Sequence, residues 1–492
     1  MTGGLFVKNT LSLDGTNLSL EVIISLLEGN EYEITLLKQE KKKLKWELVS
    51  HEKTLVNAEE VEATHDTLPR NYAACYGKML PAEIGMASLV LLLNESIKYT
   101  DTIREKLIER IMEFINHKIY PCIHDMNKYE LSAMSELALI ISGEGKTTCF
   151  YKGKYSSTQL VLKELKMDTF NLTDNEVQFM MNICCVSTAL SILMLKDAKK
   201  ICKTADICVA MNLEAIRGEV GAFDKRLHEL ARPYPNQIIS AKNTRRLLED
   251  SEFTTEKARI AFGGDKGARC QDAICLRATP QTHGGVRDTI QWLESNLNKE
   301  INNISYKVNP IVGYSLDLVI IALADLGNIS ERRSSRLNDS HLSYGLPMNL
   351  VGENPGFNHG FPVIQAAATA VLAELKLLSL PNSSSVIIDS MNKNYNCATY
   401  AAAFKSIEVI NLITKVLAIE MLMAAQGMDL AKDKLKDYKF GKGTEVALVE
   451  FRNYIKVTRK NRFAVPDMVE ADRLVNQGII LAKVENTIGK LN

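Results

Sequence analysis

Apolar residues recur at three- and four-residue steps through much of the chain. Over Glu83 to Ser96 and over Arg104 to His117 this spacing predicts helices with one buried face. Tyr314 to Leu326 and Ile407 to Leu430 are apolar nearly all round. Such segments are expected inside a bundle, with other helices on every side. Strand-like alternation is scarce. Glu33 to Leu37 and the Tyr151–Tyr155 neighbourhood are expected to form short hairpins. No repeat of fixed period and no long linker interrupts the pattern. The softest points lie near Lys200 and near Asp429, after which Lys432 to Asp437 turns charged. The expected organisation is therefore a mainly helical region over 1–200, a bundle of long helices over 201–430 and a helical segment over 431–492. The fold class is all-α.

Composition supports that reading. The 492 residues include only 12 prolines and 27 glycines, few for a many-turned β protein. Lys plus Arg equals Asp plus Glu at 59 each, so there is no basic surplus to hold phosphates, and nucleic acid is not expected as a partner. The run Lys41–Lys45 reads as a solvated helix face. Phe179 to Leu195 is apolar but broken by Asn182, Ser187, Thr188 and Ser191, as expected of a buried helix and not of a membrane span. The first residues lack the basic and apolar regions of a signal peptide, and the ten cysteines show no zinc spacing; reduced thiols in the cytoplasm are expected.

Several short motifs carry little. Gly143-Glu-Gly-Lys-Thr147 lacks the earlier glycine of a phosphate loop, since Ile140 stands there. Gly263-Gly-Asp-Lys-Gly267 has no preceding strand and reads as a loop, a candidate cover for a site. The eight histidines form no HExxH or i, i+4 pair, so no catalytic metal is expected.

A series of segments, in order, resembles one family. They are Leu80–Ile84, Ile141–Gly145 with Phe150–Gly153, Ala231–Gln237, Gln271–Arg277 with Pro280–Gly284, Ile329–Arg333, Asn358–Phe361, Val416–Glu420 and Ala424–Leu430. Together they resemble the aromatic amino acid ammonia-lyases, above all histidine ammonia-lyase. The resemblance implies a nearly all-helical fold, a homotetramer, active sites assembled from more than one subunit, and a small amino-acid-like substrate. The apolar helices noted above fit burial in such an assembly.

The family's electrophile, methylidene-imidazolone, forms from an Ala-Ser-Gly triplet. Counting back from Gly143, that triplet falls on Asn127, Lys128 and Tyr129, followed by Glu130. Cyclisation needs a glycine nitrogen that can approach a carbonyl and a serine that can lose water; Asn-Lys-Tyr supplies neither, so no cofactor is expected. Other family positions have changed too. The loop carrying its catalytic tyrosine has no counterpart between Trp46 and Tyr72, Ile274 replaces a tyrosine, and Lys393 replaces an acid. Some positions survive. Arg277 matches the arginine that grips the substrate carboxylate, a task that suits a planar guanidinium. Asn182, Gln271, Asn358 and Phe361 also match.

The resemblance then implies a choice. A branch of the superfamily without the prosthetic group, the ergothionases, eliminates trimethylamine from ergothioneine. This sequence resembles that branch in what it lacks. The expected catalytic residues are Tyr72, Lys393 and Glu420. Tyr72 or Tyr76 is the expected partner of a nearby lysine such as Lys393. Lys393 serves as base or hydrogen-bond acid. Glu420 anchors an imidazole nitrogen or orients Lys393. Arg277, Asn182, Gln271, Tyr314, Asn358 and Phe361 are the expected substrate-binding residues; Tyr72, Tyr314 and Phe361 offer aromatic faces to a trimethylammonium group. The alternatives are a catalytically silent lyase-fold protein that binds a ligand or partner, and a biosynthetic enzyme of altered chemistry.

Overall fold

Helices carry most of the chain, as the apolar periodicity requires. A computed structural model describes residues 9–37, 68–100, 103–127, 129–263, 269, 271–304, 309–385 and 398–492. Lys393, Lys128, the run Lys41–Lys45 and residues 264–267 of the glycine-rich turn lie outside the described residues. Two compact units are each assembled from separate stretches of chain. The first comprises Met1–Lys196, Leu293–Leu316 and Asn382–Ser406; the second comprises Asp197–Trp292, Asp317–Pro381 and Ile407–Asn492. Lys200 and Asp429, where the sequence softens, both fall inside continuous helices, Cys185–Ala215 and Thr399–Lys434.

In the first unit, strand β1 (Asn9–Leu13) pairs in parallel with strand β2 (Tyr32–Leu36), Leu11 facing Ile34. The helix Leu20–Leu27 makes the crossover, capped by the Ser19 hydroxyl. The expected hairpin at Glu33–Leu37 is thus corrected to a parallel pair, because a helix and not a tight turn joins the strands. The hairpin around Tyr151–Tyr155 does form: β3 (Tyr120–Pro121), β4 (Thr148–Tyr151) and β5 (Lys154–Ser157) make an antiparallel sheet in that order. Ala82–Ser96 is buried almost throughout, and not on the one face its spacing predicts, because its polar residues Ser88, Asn94 and Ser96 are bonded inside the protein; Glu130–Ser142 is buried almost throughout as well. Gly85 is required where the first of these passes the sheet, since a Cβ there would lie 1.9 Å from the Pro121 carbonyl oxygen. The apolar run from Phe179 is divided into Asp174–Met181 and Cys185–Ala215. Thr173 and Glu176 form a reciprocal capping box at the first.

In the second unit, buried polar groups are fastened to one another. Asp206, fully buried, accepts from His283 Nδ1 at 2.7 Å, Arg287 Nη2 at 2.8 Å, Asn243 Nδ2 at 2.9 Å and Ser240 Oγ at 3.0 Å. Burial alone would raise its pKa, yet the Arg287 charge and these bonds hold it below the usual carboxylate range. Gly427 lets the helix Thr399–Lys434 press on Ala215, whose Cβ would sit 2.9 Å from an added one. Among the described residues, one helix, Pro310–Asn338, is long and apolar enough to cross a membrane, and 61% of its apolar window is buried, as in a folded core.

Candidate active site

In the second unit, the short helix Ile274–Arg277 is held just before its start and at its second residue. Just before it, Asp272 is buried and accepts from the Glu219 amide at 2.6 Å and from Arg269 Nη1 at 2.9 Å. Arg269 also donates to the carbonyls of Ile216 and Arg217. Within the helix, the Cys275 carbonyl accepts from Arg333 Nη1 at 3.3 Å.

Arg333 is itself sealed from water and forms a two-pronged ion pair with Glu420, Nε to Oε1 at 2.5 Å and Nη2 to Oε2 at 3.0 Å. Ser330 Oγ and Asn212 Nδ2 donate to the same carboxylate at 2.5 Å and 2.8 Å. Burial works against the Arg333 charge, but Glu420 outweighs it and leaves the guanidinium pKa above its ordinary value. A pair this deep is tolerated because the remaining lone pairs and N–H groups find partners.

Arg277 ends the held helix. Its Nε is buried without a hydrogen-bond partner. No described residue forms an ion pair with its guanidinium. A fixed arginine with unspent donors is an anion receptor, and a carboxylate is the anion its fork fits.

In the first unit, a second polar cluster precedes the helix Glu130–Ser142, at the position counted for the Ala-Ser-Gly triplet. Asn127 is fully buried. Its carboxamide oxygen accepts from the Ala74 amide at 2.9 Å and Ser132 Oγ at 2.6 Å. Its nitrogen donates to the His124 carbonyl at 3.1 Å and to Glu136 Oε2 at 2.5 Å. Glu136 also binds His124 through its amide at 2.8 Å and Nδ1 at 2.6 Å. These residues do not fit methylidene-imidazolone: the carboxamide of Asn127 is committed on both sides, and Tyr129 carries a side chain where the cyclising nitrogen must belong to glycine.

Glu130 follows and binds the Val186 and Ser187 amides at the start of another helix, at 2.8 Å and 2.9 Å. Burial pushes its carboxyl up to about 7 against those bonds. Tyr400 is buried with its hydroxyl unpartnered; desolvation, then the charges of Glu130 and Glu136, raise its phenol well above the ordinary value.

The expected site residues are distributed between these settings. In the first unit, Tyr72 ends the helix Leu68–Tyr72, is half-buried, and lies two residues before the Ala74 amide that binds Asn127. Its helix packs on Glu130–Ser142. Tyr76 is exposed. Asn182 caps Asp174–Met181 and spends its nitrogen on the Gln178 carbonyl at 2.7 Å. Tyr314 is 46% exposed on the helix Pro310–Asn338.

In the second unit, Gln271 is exposed while its neighbour Asp272 makes the structural bonds. Asn358 is buried and ties two loops, donating to the Glu353 carbonyl at 2.7 Å and accepting from the Asn461 amide at 3.0 Å. Phe361 is buried at the cap of Pro362–Leu378, so its ring faces protein. Glu420, expected at an imidazole nitrogen, has its oxygens filled by Arg333, Ser330 and Asn212. The sequence reading passed over Arg333, Ser330, Asn212 and Tyr400. Arg333 was within reach, since it closes Ile329-Ser-Glu-Arg-Arg333, but nothing in the spacing says which of two adjacent arginines turns inward. Among the described residues no cluster of His, Cys, Asp and Glu is arranged to hold a metal.

Known proteins place this architecture. Residues 50–453 match the family described as aromatic amino acid lyase. A histidine ammonia-lyase of Alkaliphilus oremlandii (strain OhILAs) is 31% identical over 97% of this chain and 99% of its own. The chain therefore belongs to the aromatic amino acid lyase family. Its fold is shared by a tyrosine aminomutase from Streptomyces globisporus, with TM-score 0.83, 24% identity and coverage of 98% and 100% of the two chains. It is shared also by the ergothioneine-degrading ergothionase of Treponema denticola, with TM-score 0.81, 18% identity and coverage of 96% and 100%.

Proposed function

We propose that this chain is a carbon–nitrogen lyase that works without methylidene-imidazolone and eliminates trimethylamine from a betaine-type aromatic amino acid, with ergothioneine the leading candidate. The observation that carries the reading is Asn127. Asn127, at the position counted for the triplet from which the family builds its electron sink, has a buried carboxamide in a closed hydrogen-bond network. An amine is a poor leaving group without such a sink. A quaternary ammonium already bears the positive charge that makes it leave.

The step balances without a cofactor. A base removes the proton from the β-carbon, the electron pair becomes the Cα–Cβ double bond, and the C–N bond breaks to release neutral trimethylamine. Arg277 holds the carboxylate. Lys393 and Tyr72 are the proposed base and its partner, and Tyr314 offers a ring to the cation. Asn182, whose carboxamide oxygen is left over by its bond to Gln178, and the exposed Gln271 are the further proposed substrate-binding residues. The fold shared with ergothionase supports this at the level of the scaffold.

The experiment is to incubate the protein with ergothioneine and follow thiourocanate absorbance and free trimethylamine, with histidine as control. The expected result is stoichiometric release of both products from ergothioneine and no ammonia from histidine. Ammonia from histidine would end the proposal. A second reading, a silent homologue that binds a ligand, is favoured by the commitment of Asn358 to backbone contacts. It gains ground if ergothioneine binds without turnover and Lys393→Met and Tyr72→Phe leave that binding unchanged.

A further inference from the structure

Glu420 and Arg333 form a pair with no free face, yet they connect to Arg277, whose buried Nε is unpartnered. The route is short. Glu420 fixes the Arg333 fork at 2.5 Å and 3.0 Å. The remaining nitrogen, Nη1, reaches the Cys275 carbonyl at 3.3 Å. Cys275 lies in the same short helix as Arg277, two residues earlier. Asp272 pins the approach to that helix through Arg269 and the Glu219 amide. Arg277 therefore projects from a segment fastened at two points shortly before it, with its Nε buried and unpartnered.

We infer that Arg333 and Glu420 are positioning residues for the carboxylate grip of Arg277. Glu420 has both oxygens taken by Arg333, Ser330 and Asn212; it sets the angle of Arg333, which sets the carbonyl of Cys275 and so the direction of the Arg277 guanidinium. A guanidinium grips a carboxylate through two parallel bonds, so a small rotation of its base loses one of them. The inference rests on the proposed role of Arg277, but not on the identity of the leaving group.

The test uses the full chain and two inert probes, imidazolepropionate and its amide, titrated by calorimetry. Wild type is expected to favour the acid by about tenfold or more, the order of one charge-assisted bond. Arg277→Lys should abolish that preference. Glu420→Gln should reduce it about as far, leave amide affinity unchanged, and add nothing in the double variant with Arg277→Lys. Arg333→Lys should not rescue it, because an ammonium cannot hold Glu420 and Cys275 in one plane. If Glu420→Gln fails to fold, Ser330→Ala removes one bond to the same carboxylate and should give a smaller shift in the same direction. Equal loss for acid and amide, or additive losses in the double variant, overturns the inference. An acid preference coupled to Glu420 in a protein that never turns over ergothioneine would uphold it while ending the proposed activity. Turnover with an acid preference indifferent to Glu420 would do the reverse.

Discussion

Arg333 and Glu420 meet through two parallel contacts in a place that water does not reach. Removing one member leaves the other charge buried without its partner. Glu420→Ala is expected to cost about 3–5 kcal/mol of stability, as broken buried pairs do. Urea titration of variant and wild type measures it. A loss below about 1 kcal/mol would mean that water or another cation reaches Arg333.

Asn127 is a different kind of support, neutral and bonded on all sides. Alanine there would orphan the Ala74 amide and leave Glu136 short of a donor. The expected loss is roughly 2–3 kcal/mol, mostly the cost of unsatisfied buried groups. Aspartate should be worse, since it would set a second carboxylate against Glu136. Thermal melts that rank Asn127→Asp above wild type would contradict the network.

Two buried acids predict a pH dependence. Burial raises Glu130 to about 7 and Glu214 to about 7 from the ordinary 4.5. The folded state thus holds protons that the unfolded chain has released. The stability these groups contribute is complete below about pH 4.5 and is lost as pH rises through about 7. Glu130→Gln and Glu214→Gln should each flatten part of that slope, and each should raise the melting temperature at about pH 8 relative to wild type. Melts across the range that show unchanged slopes in both variants would disprove the assignment.

Arg277 should act on affinity and not on folding, because it has no described partner to lose. Arg277→Ala is expected to raise the KM for a carboxylate substrate by about ten- to a hundredfold with a small change in melting temperature. Unfolding of this variant would instead mark Arg277 as structural.

Gly85 illustrates a constraint no spacing rule contains. Gly85→Ala would place a methyl 1.9 Å from the Pro121 carbonyl, within the buried face of Ala82–Ser96. Overpacking of this kind costs about 1–3 kcal/mol or more. Chemical denaturation should show the loss, while an alanine at the open Gly221 should show none.

The sequence by itself determined that the chain is helical, because a 3.6-residue apolar period over Glu83–Ser96 and Arg104–His117 is a local property that survives in Ala82–Ser96 and Glu105–Asn116. It also placed Asn127, Lys128 and Tyr129 at the position where counting back from Gly143 expects the triplet. Tertiary structure alone decided which polar residues remain available. Glu420, Asn358 and Arg277 look equally functional as letters, yet folding spends Glu420 on Arg333 and Asn358 on loop backbone, and leaves Arg277 with a buried, unpartnered Nε and no ion pair among the described residues. Glu420 and Arg333 are separated by 87 residues. Pairing across such a distance depends on how helices cross, and a period within one helix carries no information about its neighbour.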